Sequence, residues 1–143
     1  MADLPSHARV VIIGGGVVGV SSLYHLAKAG WTDCVLIERN ELTSGSTWHA
    51  AGNVPTFSST WSLMNMQRYS AVLYRSLAAE VGYPIDYHVT GSLRLARTEE
   101  RMREFQRVGS MGAFNEMGLE VVGVDEIKAR YPFIETHDLE GAL

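Results

Sequence analysis

Three groups of residues in the first half of the chain have the types and spacing to do chemistry. Gly14, Gly16 and Gly19 make a GxGxxG pattern, with Gly15, Val17 and Val18 in the places between them. Between a strand and a helix such a turn seats a diphosphate. The first glycine permits the sharp turn, the second lets the backbone approach the pyrophosphate, and the third lets helix and strand pack closely. The start of the helix adds N–H groups and a partial positive charge. Glu38, the second group, lies 24 residues after Gly14, where a carboxylate accepts hydrogen bonds from a ribose hydroxyl. Its charge repels a 2′-phosphate, so NADP is disfavoured in spite of the adjacent Arg39, which leaves FAD or NAD.

The third group is the stretch STWHAAGN at 46–53 with the glycine before it. Gly45, Ser46 and Thr47 offer amides and hydroxyls to phosphate, while Ala50, Ala51 and Gly52 let the backbone come close to a flat ring. His49 stands among them either as an imidazole facing the edge of that ring or as a loop histidine satisfied by a carbonyl. Trp48 either stacks on the ring or packs beneath the loop.

These residues need a frame to hold them. Residues 9–13 form a short β-branched run that reads as a parallel strand, buried on both faces and ending in the glycine turn. A helix over 17–29 follows, with Val20, Leu23, Leu26 and Ala27 as its apolar face and Gly30 as its C-terminal cap. The run CVLIE at 34–38 is the second strand, with Cys34 read as a buried thiol. Residues 39–59 are rich in Ser, Thr, Gly and Asn, have neither helical nor strand period, and read as a long loop of the functional kind.

Beyond the loop, Ser59 or Thr60 caps a helix reaching about Glu80, with Leu63, Met66, Leu73 and Leu77 as its stripe. Met64, Met66 and Tyr69 are read as packing residues. Alternation over 87–96 predicts a strand that buries Tyr87, Val89, Leu93 and Leu95. Thr98, Glu99 and Glu100 open a second helix, interrupted by Gly109 and Gly112. Its stretch RTEERMREFQR is a solvated charged face. LEVVGV at 119–124 predicts a strand, and a short helix runs from Asp125 to a stop at Pro132. Of the other histidines, His25 sits mid-helix on a half-buried face and His88 on the polar side of the 87–96 run.

Composition sets limits on function. The chain has 143 residues, 46% hydrophobic, with a formal net charge of −4 and no clustered Lys or Arg, which argues against a nucleic-acid partner. The single cysteine implies a reducing compartment, and the first residues carry no leader or transit pattern, so a cytoplasmic location is expected. The apolar run at 10–20 is broken by glycines and too short for a membrane span, and no metal site is expected.

The stretches VIIGGGVVGVSSLYHLAKAGWTDCVLIER, ELTSGSTWHAAGN, HVTGSLRLA and RYPF resemble the dimethylglycine and sarcosine dehydrogenase group of the D-amino acid oxidase-like flavoproteins. The first stretch is shared by many flavoproteins, whereas STWHAAG is specific to the narrow group. The resemblance implies an α/β fold. In it, a Rossmann-like FAD-binding domain, begun here by residues 1–80, is joined by the start of a mixed-sheet substrate domain at 81–143. It implies oxidation of the N-methyl group of dimethylglycine or sarcosine by hydride transfer to FAD, and a covalent bond between His49 and the 8α-methyl of the flavin. Such a tether prevents loss of cofactor and raises its reduction potential. Electrons would pass to oxygen or an acceptor protein. Family members are several times longer and often carry a C-terminal folate-binding portion, so the chain reads as an N-terminal portion, inactive alone. Its acid, base and substrate carboxylate-binding groups are expected elsewhere, and no catalytic residue is named. The alternatives are a non-covalent FAD amino-acid oxidase-type enzyme, in which His49 only lines the site, and a non-catalytic dinucleotide-binding fragment.

Overall fold

A computed structural model describes residues 5–58, 60–114 and 117–143. They form a mixed α/β structure that divides within one helix into two compact units, Met1–Ser70 and Ala71–Leu143.

The first unit begins with β1 (Val10–Ile13), α1 (Val17–Lys28) and β2 (Cys34–Ile37). The strands run parallel, with Val10 opposite Cys34 and Ile13 opposite Ile37, and α1 is the crossover that parallel strands require. Register is held at one end by Arg9 and Val10 N–H donating to Asp33 C=O, and at the other by Gly14 N–H donating to Ile37 C=O at 2.8 Å. The helix ends as the sequence predicts. Gly30 has φ +85° and donates to Ala27 C=O, and Trp31 N–H reaches Leu26 C=O.

Burial differs from expectation. Two strands bury neither face fully, so Ile13 is 86% exposed, no residue of α1 is buried, Val20 and Ala27 are exposed, and Leu23, Leu26 and Cys34 are only half-buried. A strand reads as continuously apolar because both its faces need cover, and within 143 residues that cover is incomplete.

Helix α2 (Trp61–Val81) starts where Thr60 C=O receives Met64 N–H; Ser59 lies outside the described residues. Its buried positions are Met64, at 3% exposure, and Ala71. Leu63 and Met66 face outward and Leu73 and Leu77 are half-buried, so the predicted stripe is displaced by about one residue. Tyr69 is also exposed.

In the second unit the 87–96 run is mostly irregular. Gly91 at φ +75° breaks the extended path, and only β3 (Leu95–Ala96) forms, antiparallel to β4 (Gly141–Ala142). Arg94 and Leu143 extend the pairing with reciprocal N–H···O=C bonds of 2.9 and 3.0 Å. The predicted parity is reversed there: Ala96 is fully buried and Leu95 outward. Helix α3 (Glu99–Phe114) runs through both glycines without interruption. A Cβ on Gly109 would lie 2.6 Å from Val121 Cγ2, and one on Gly112 would lie 2.7 Å from Leu119 Cδ1. Both glycines are therefore where the returning chain packs closest. That chain pairs with β4 through the Val122–Ala142 bridge, and not as a strand over 119–124. Helix α4 (Val124–Arg130) is capped by Gly123, with Asp125 in its first turn and not at the cap. Val122, Ile127 and Ala142 form the buried cluster of this unit, with Leu93, Ile134 and Leu139 against them.

Candidate nucleotide-binding site

The end of β1 turns through Gly14, whose φ of +107° favours a residue without Cβ, into the opening of α1 at N-cap Gly16. Gly19 is the closest approach of helix to strand end: a Cβ there would stand 1.9 Å from Gly14 C=O and 3.3 Å from Ile12 Cγ2. These are the first and third glycine roles that the motif requires. Gly15 and Gly16 make room for a neighbour from the same unit. A Cβ on Gly15 would meet Leu42 Cδ2 at 2.5 Å, and one on Gly16 would meet Thr47 Oγ1 at 3.1 Å.

The residues following β2 fold onto this turn. Glu38 Oε2 accepts Gly15 N–H at 2.7 Å, and its Oε1 accepts Asn40 N–H at 2.9 Å. These donors, Gly15 first, hold the carboxyl below the ordinary glutamate range, with a smaller contribution from the exposed Arg39 charge. An ionised carboxylate has about four acceptor positions, so two taken by amides leave room for ribose hydroxyls. Thr43 N–H donates to Gly15 C=O at 3.0 Å. Thr43 sits at φ +67°, an unusual backbone for a β-branched residue and a mark of local strain. Val17 N–H, the first of α1, donates to Thr47 Oγ1 at 2.9 Å.

The loop thus contains successive turns. Trp48 N–H reaches Thr43 C=O at 3.0 Å, His49 N–H reaches Ser46 C=O at 3.2 Å, and Ala50 N–H reaches Thr47 C=O at 3.2 Å. His49 is exposed, and its Nδ1 lies 3.0 Å from Gly45 C=O. A carbonyl only accepts, so Nδ1 is the donor in this contact, and the neutral tautomer compatible with it has its lone pair on Nε2. Trp48 is 77% exposed, which rules out packing beneath the loop. Ala50, Ala51 and Gly52 are exposed, Gly52 at φ +71°. Val17 and Val18 are also exposed, at the start of α1.

The structure therefore gathers Gly14, Gly15, Gly16, Val17, Gly19, Glu38 and Thr47 into one hydrogen-bonded and packed assembly, and joins Gly45, Ser46, Thr47, His49 and Ala50 in one set of turns. Sequence reasoning missed Asn40, Leu42 and Thr43. Leu42 was the available signal, an aliphatic residue inside a polar stretch. Outside the site, His25 Nδ1 donates to Ser21 C=O at 2.7 Å, and its Nε2 accepts from Tyr69 hydroxyl at 2.8 Å, clasping α1 to α2. His88 is exposed and paired with Asp86 at 2.6 Å. Among the described residues there is no group of metal-ligating side chains, and no helix is long and apolar enough to cross a membrane.

A parallel strand, glycine turn and helix, closed by a carboxylate after the second strand, define a dinucleotide-binding protein of the α/β class. The model of the FAD dependent oxidoreductase family, DAO, matches residues 9–143, and the chain belongs to that family. It is 40% identical over 136 residues to human dimethylglycine dehydrogenase, mitochondrial (95% of this chain, 16% of the relative), and 39% identical over 144 residues to human sarcosine dehydrogenase, mitochondrial (98% and 15%). It is also 39% identical over 142 residues to the mouse pyruvate dehydrogenase phosphatase regulatory subunit, mitochondrial (98% and 16%). Among solved structures, L-proline dehydrogenase from P. horikoshii superposes with a TM-score of 0.81 at 27% identity, covering 97% of this chain and 36% of that one. The chain thus spans about a sixth of the length of these curated relatives.

Proposed function

We propose that this chain is the nucleotide-binding beginning of an FAD-dependent oxidoreductase for N-methylated glycine derivatives, dimethylglycine or sarcosine, with the flavin tethered to His49. Residues 1–80 belong to its FAD-binding domain and 81–143 begin its substrate-binding region. The observation that carries the reading is the 3.0 Å contact between His49 Nδ1 and Gly45 C=O, which favours the tautomer with its lone pair on Nε2, two residues beyond Thr47.

The chain's own residues divide the work. The amides of α1 beyond Val17, whose N–H Thr47 already holds, and the hydroxyls of Ser46 and Thr47 bind the diphosphate, with Gly14 and Gly19 setting the turn. Glu38 takes the ribose and rejects a 2′-phosphate, and Arg39 lies beside it. Gly45, Ala50, Ala51 and Gly52 keep the backbone low beside the ring. FAD, when bound, supplies the acceptor for the hydride leaving the N-methyl carbon. With FAD bound, His49 Nε2 would be the atom that takes the tether at the 8α carbon. That bond would replace one methyl C–H and the imidazole N–H, the two protons and the electron pair together reducing dioxygen to hydrogen peroxide.

Two measurements test this reading. Denaturing electrophoresis of the holoprotein, viewed under ultraviolet light in acid, is expected to give a yellow-fluorescent band that His49→Ala abolishes. Anaerobic dimethylglycine or sarcosine is expected to bleach the flavin absorbance. A non-covalent oxidase would bleach without the fluorescent band, and an NAD protein would lack the visible spectrum altogether. Similarity to the mouse regulatory subunit favours a second reading, a non-catalytic dinucleotide-binding module, which would hold flavin that no N-methyl amine bleaches. Dioxygen or an acceptor protein would take the electrons, and a folate-binding portion would accompany the longer protein. A cytoplasmic location remains part of the proposal, although the human and mouse relatives are named as mitochondrial; fractionation of cells expressing the protein tests it.

A further inference from the structure

We propose that Thr47 is a positioning residue that couples the diphosphate turn to the tether, setting where His49 Nε2 stands once the nucleotide is seated. The proposal rests on the tethered-flavin reading and adds to it the residue that makes the bond fast. Helix α1 has no side-chain cap of its own, since Gly16 occupies the N-cap. Its first amide, Val17 N–H, is instead taken by Thr47 Oγ1 at 2.9 Å, from 30 residues away in sequence. The missing Cβ of Gly16 relieves the approach of this hydroxyl, since a methyl there would stand 3.1 Å from it, a tight contact.

Thr47 is also inside the turns that hold the imidazole. Its carbonyl accepts Ala50 N–H, the preceding Ser46 carbonyl accepts His49 N–H, and Gly45 C=O fixes the ring at Nδ1. The helix start and the imidazole are therefore joined by a single hydroxyl followed by one hydrogen-bonded turn. Without the hydroxyl, the segment keeps a backbone tie to the glycine loop at Thr43 N–H to Gly15 C=O, six residues before the imidazole. A hydroxyl accepts twice and donates once, so accepting Val17 N–H leaves its own proton for a phosphate oxygen. The same group can thus report the arrival of the diphosphate to the residue that makes the bond. A small misplacement of a nucleophile costs rate more than it costs binding, because reaction needs a near-attack geometry.

The test uses the full-length protein produced flavin-free, mixed with FAD in air. Acid-stable flavin is followed over time, at FAD concentrations raised until the first-order rate constant is saturated. The bond replaces one methyl C–H and the imidazole N–H by Nε2–C, with dioxygen reduced to hydrogen peroxide, so peroxide released per flavin bound gives a second readout. Thr47→Val, which keeps shape and removes the hydroxyl, is expected to lower the saturated rate at least about tenfold. Thr47→Ser is expected to stay within about threefold of the parent. Amide exchange at Val17 without flavin should be faster in Thr47→Val than in Thr47→Ser. A Thr47→Val rate that reaches the parent's at saturating FAD would overturn the positioning role, leaving only a part in binding. Equal slowing by Ser and Val would assign the effect to packing of the methyl and overturn it as well. Absence of acid-stable flavin in the parent protein itself would instead fell the tether reading, and this proposal with it.

Discussion

Glu38 binds two amides with its two oxygens, and that makes it a latch on the glycine turn as well as a ribose acceptor. A pH dependence follows. The carboxyl lies below its usual value of 4.5 because Gly15 N–H, and next Asn40 N–H, favour the charged form. The folded protein therefore takes up this proton less readily than the unfolded chain. The contribution to stability is complete above about pH 5 and is lost as the pH falls through the depressed folded value. In Glu38→Gln the charge is gone, so thermal melts of parent and variant are expected to differ at neutral pH and to converge below pH 4.5. A constant difference down to acid would contradict the latch. The same variant should bind FAD about tenfold more weakly or worse, because hydrogen bonds to charged groups are the strong ones. Titration of flavin fluorescence measures it. From the sequence Glu38 could be named as an acceptor from its place after the second strand, but its hold on Gly15 N–H could not, since that depends on how tightly the turn closes.

At the scale of elements, the glycines do two different jobs. Gly19 lets α1 lie against the end of β1, and Gly109 lets α3 meet Val121. Gly19→Ala is expected to cost about 1–3 kcal/mol by overpacking and to lower FAD retention with it. Gly109→Ala is expected to cost a similar amount and to leave FAD retention near that of the parent. Chemical denaturation, with exposed Ser110→Ala as a control within about 0.5 kcal/mol, checks both. The difference also explains what the sequence made legible. The unit β1–α1–β2 could be read almost to the residue because turn chemistry, apolar runs and caps all agree within 30 residues. Helix α3 was misjudged because glycine in a helix reads as a break, and the compensation lies in Leu119 and Val121, contacts that local pattern does not carry. Alternation over 87–96 misled for a related reason. A strand needs a partner, and among the described residues only Leu95–Ala96 and the flanking Arg94 find one in the last three residues.

At the scale of the molecule, the exposed faces of β1 and α1 and the short share of the relatives' length point the same way. Apolar strand residues such as Ile13 gain stability only when covered, at about 25 cal/mol per Å² of apolar surface. Residues 1–143 expressed alone are accordingly expected to retain little FAD through gel filtration and to show no amine oxidation. Stoichiometric yellow protein or turnover from that piece would contradict the account. His49 was legible as a candidate because an imidazole among small residues after a ribose-binding carboxylate is unusual; its tautomer needed the Gly45 carbonyl in space. The most direct test of the central claim is intact mass spectrometry of the holoprotein in denaturing acid, followed by peptide mapping. The expected mass is raised by one FAD less two hydrogens, on the peptide containing His49, and the increase is absent in His49→Ala. Protein that carries visible flavin in the native state, yet shows the unmodified polypeptide mass once unfolded, would contradict it.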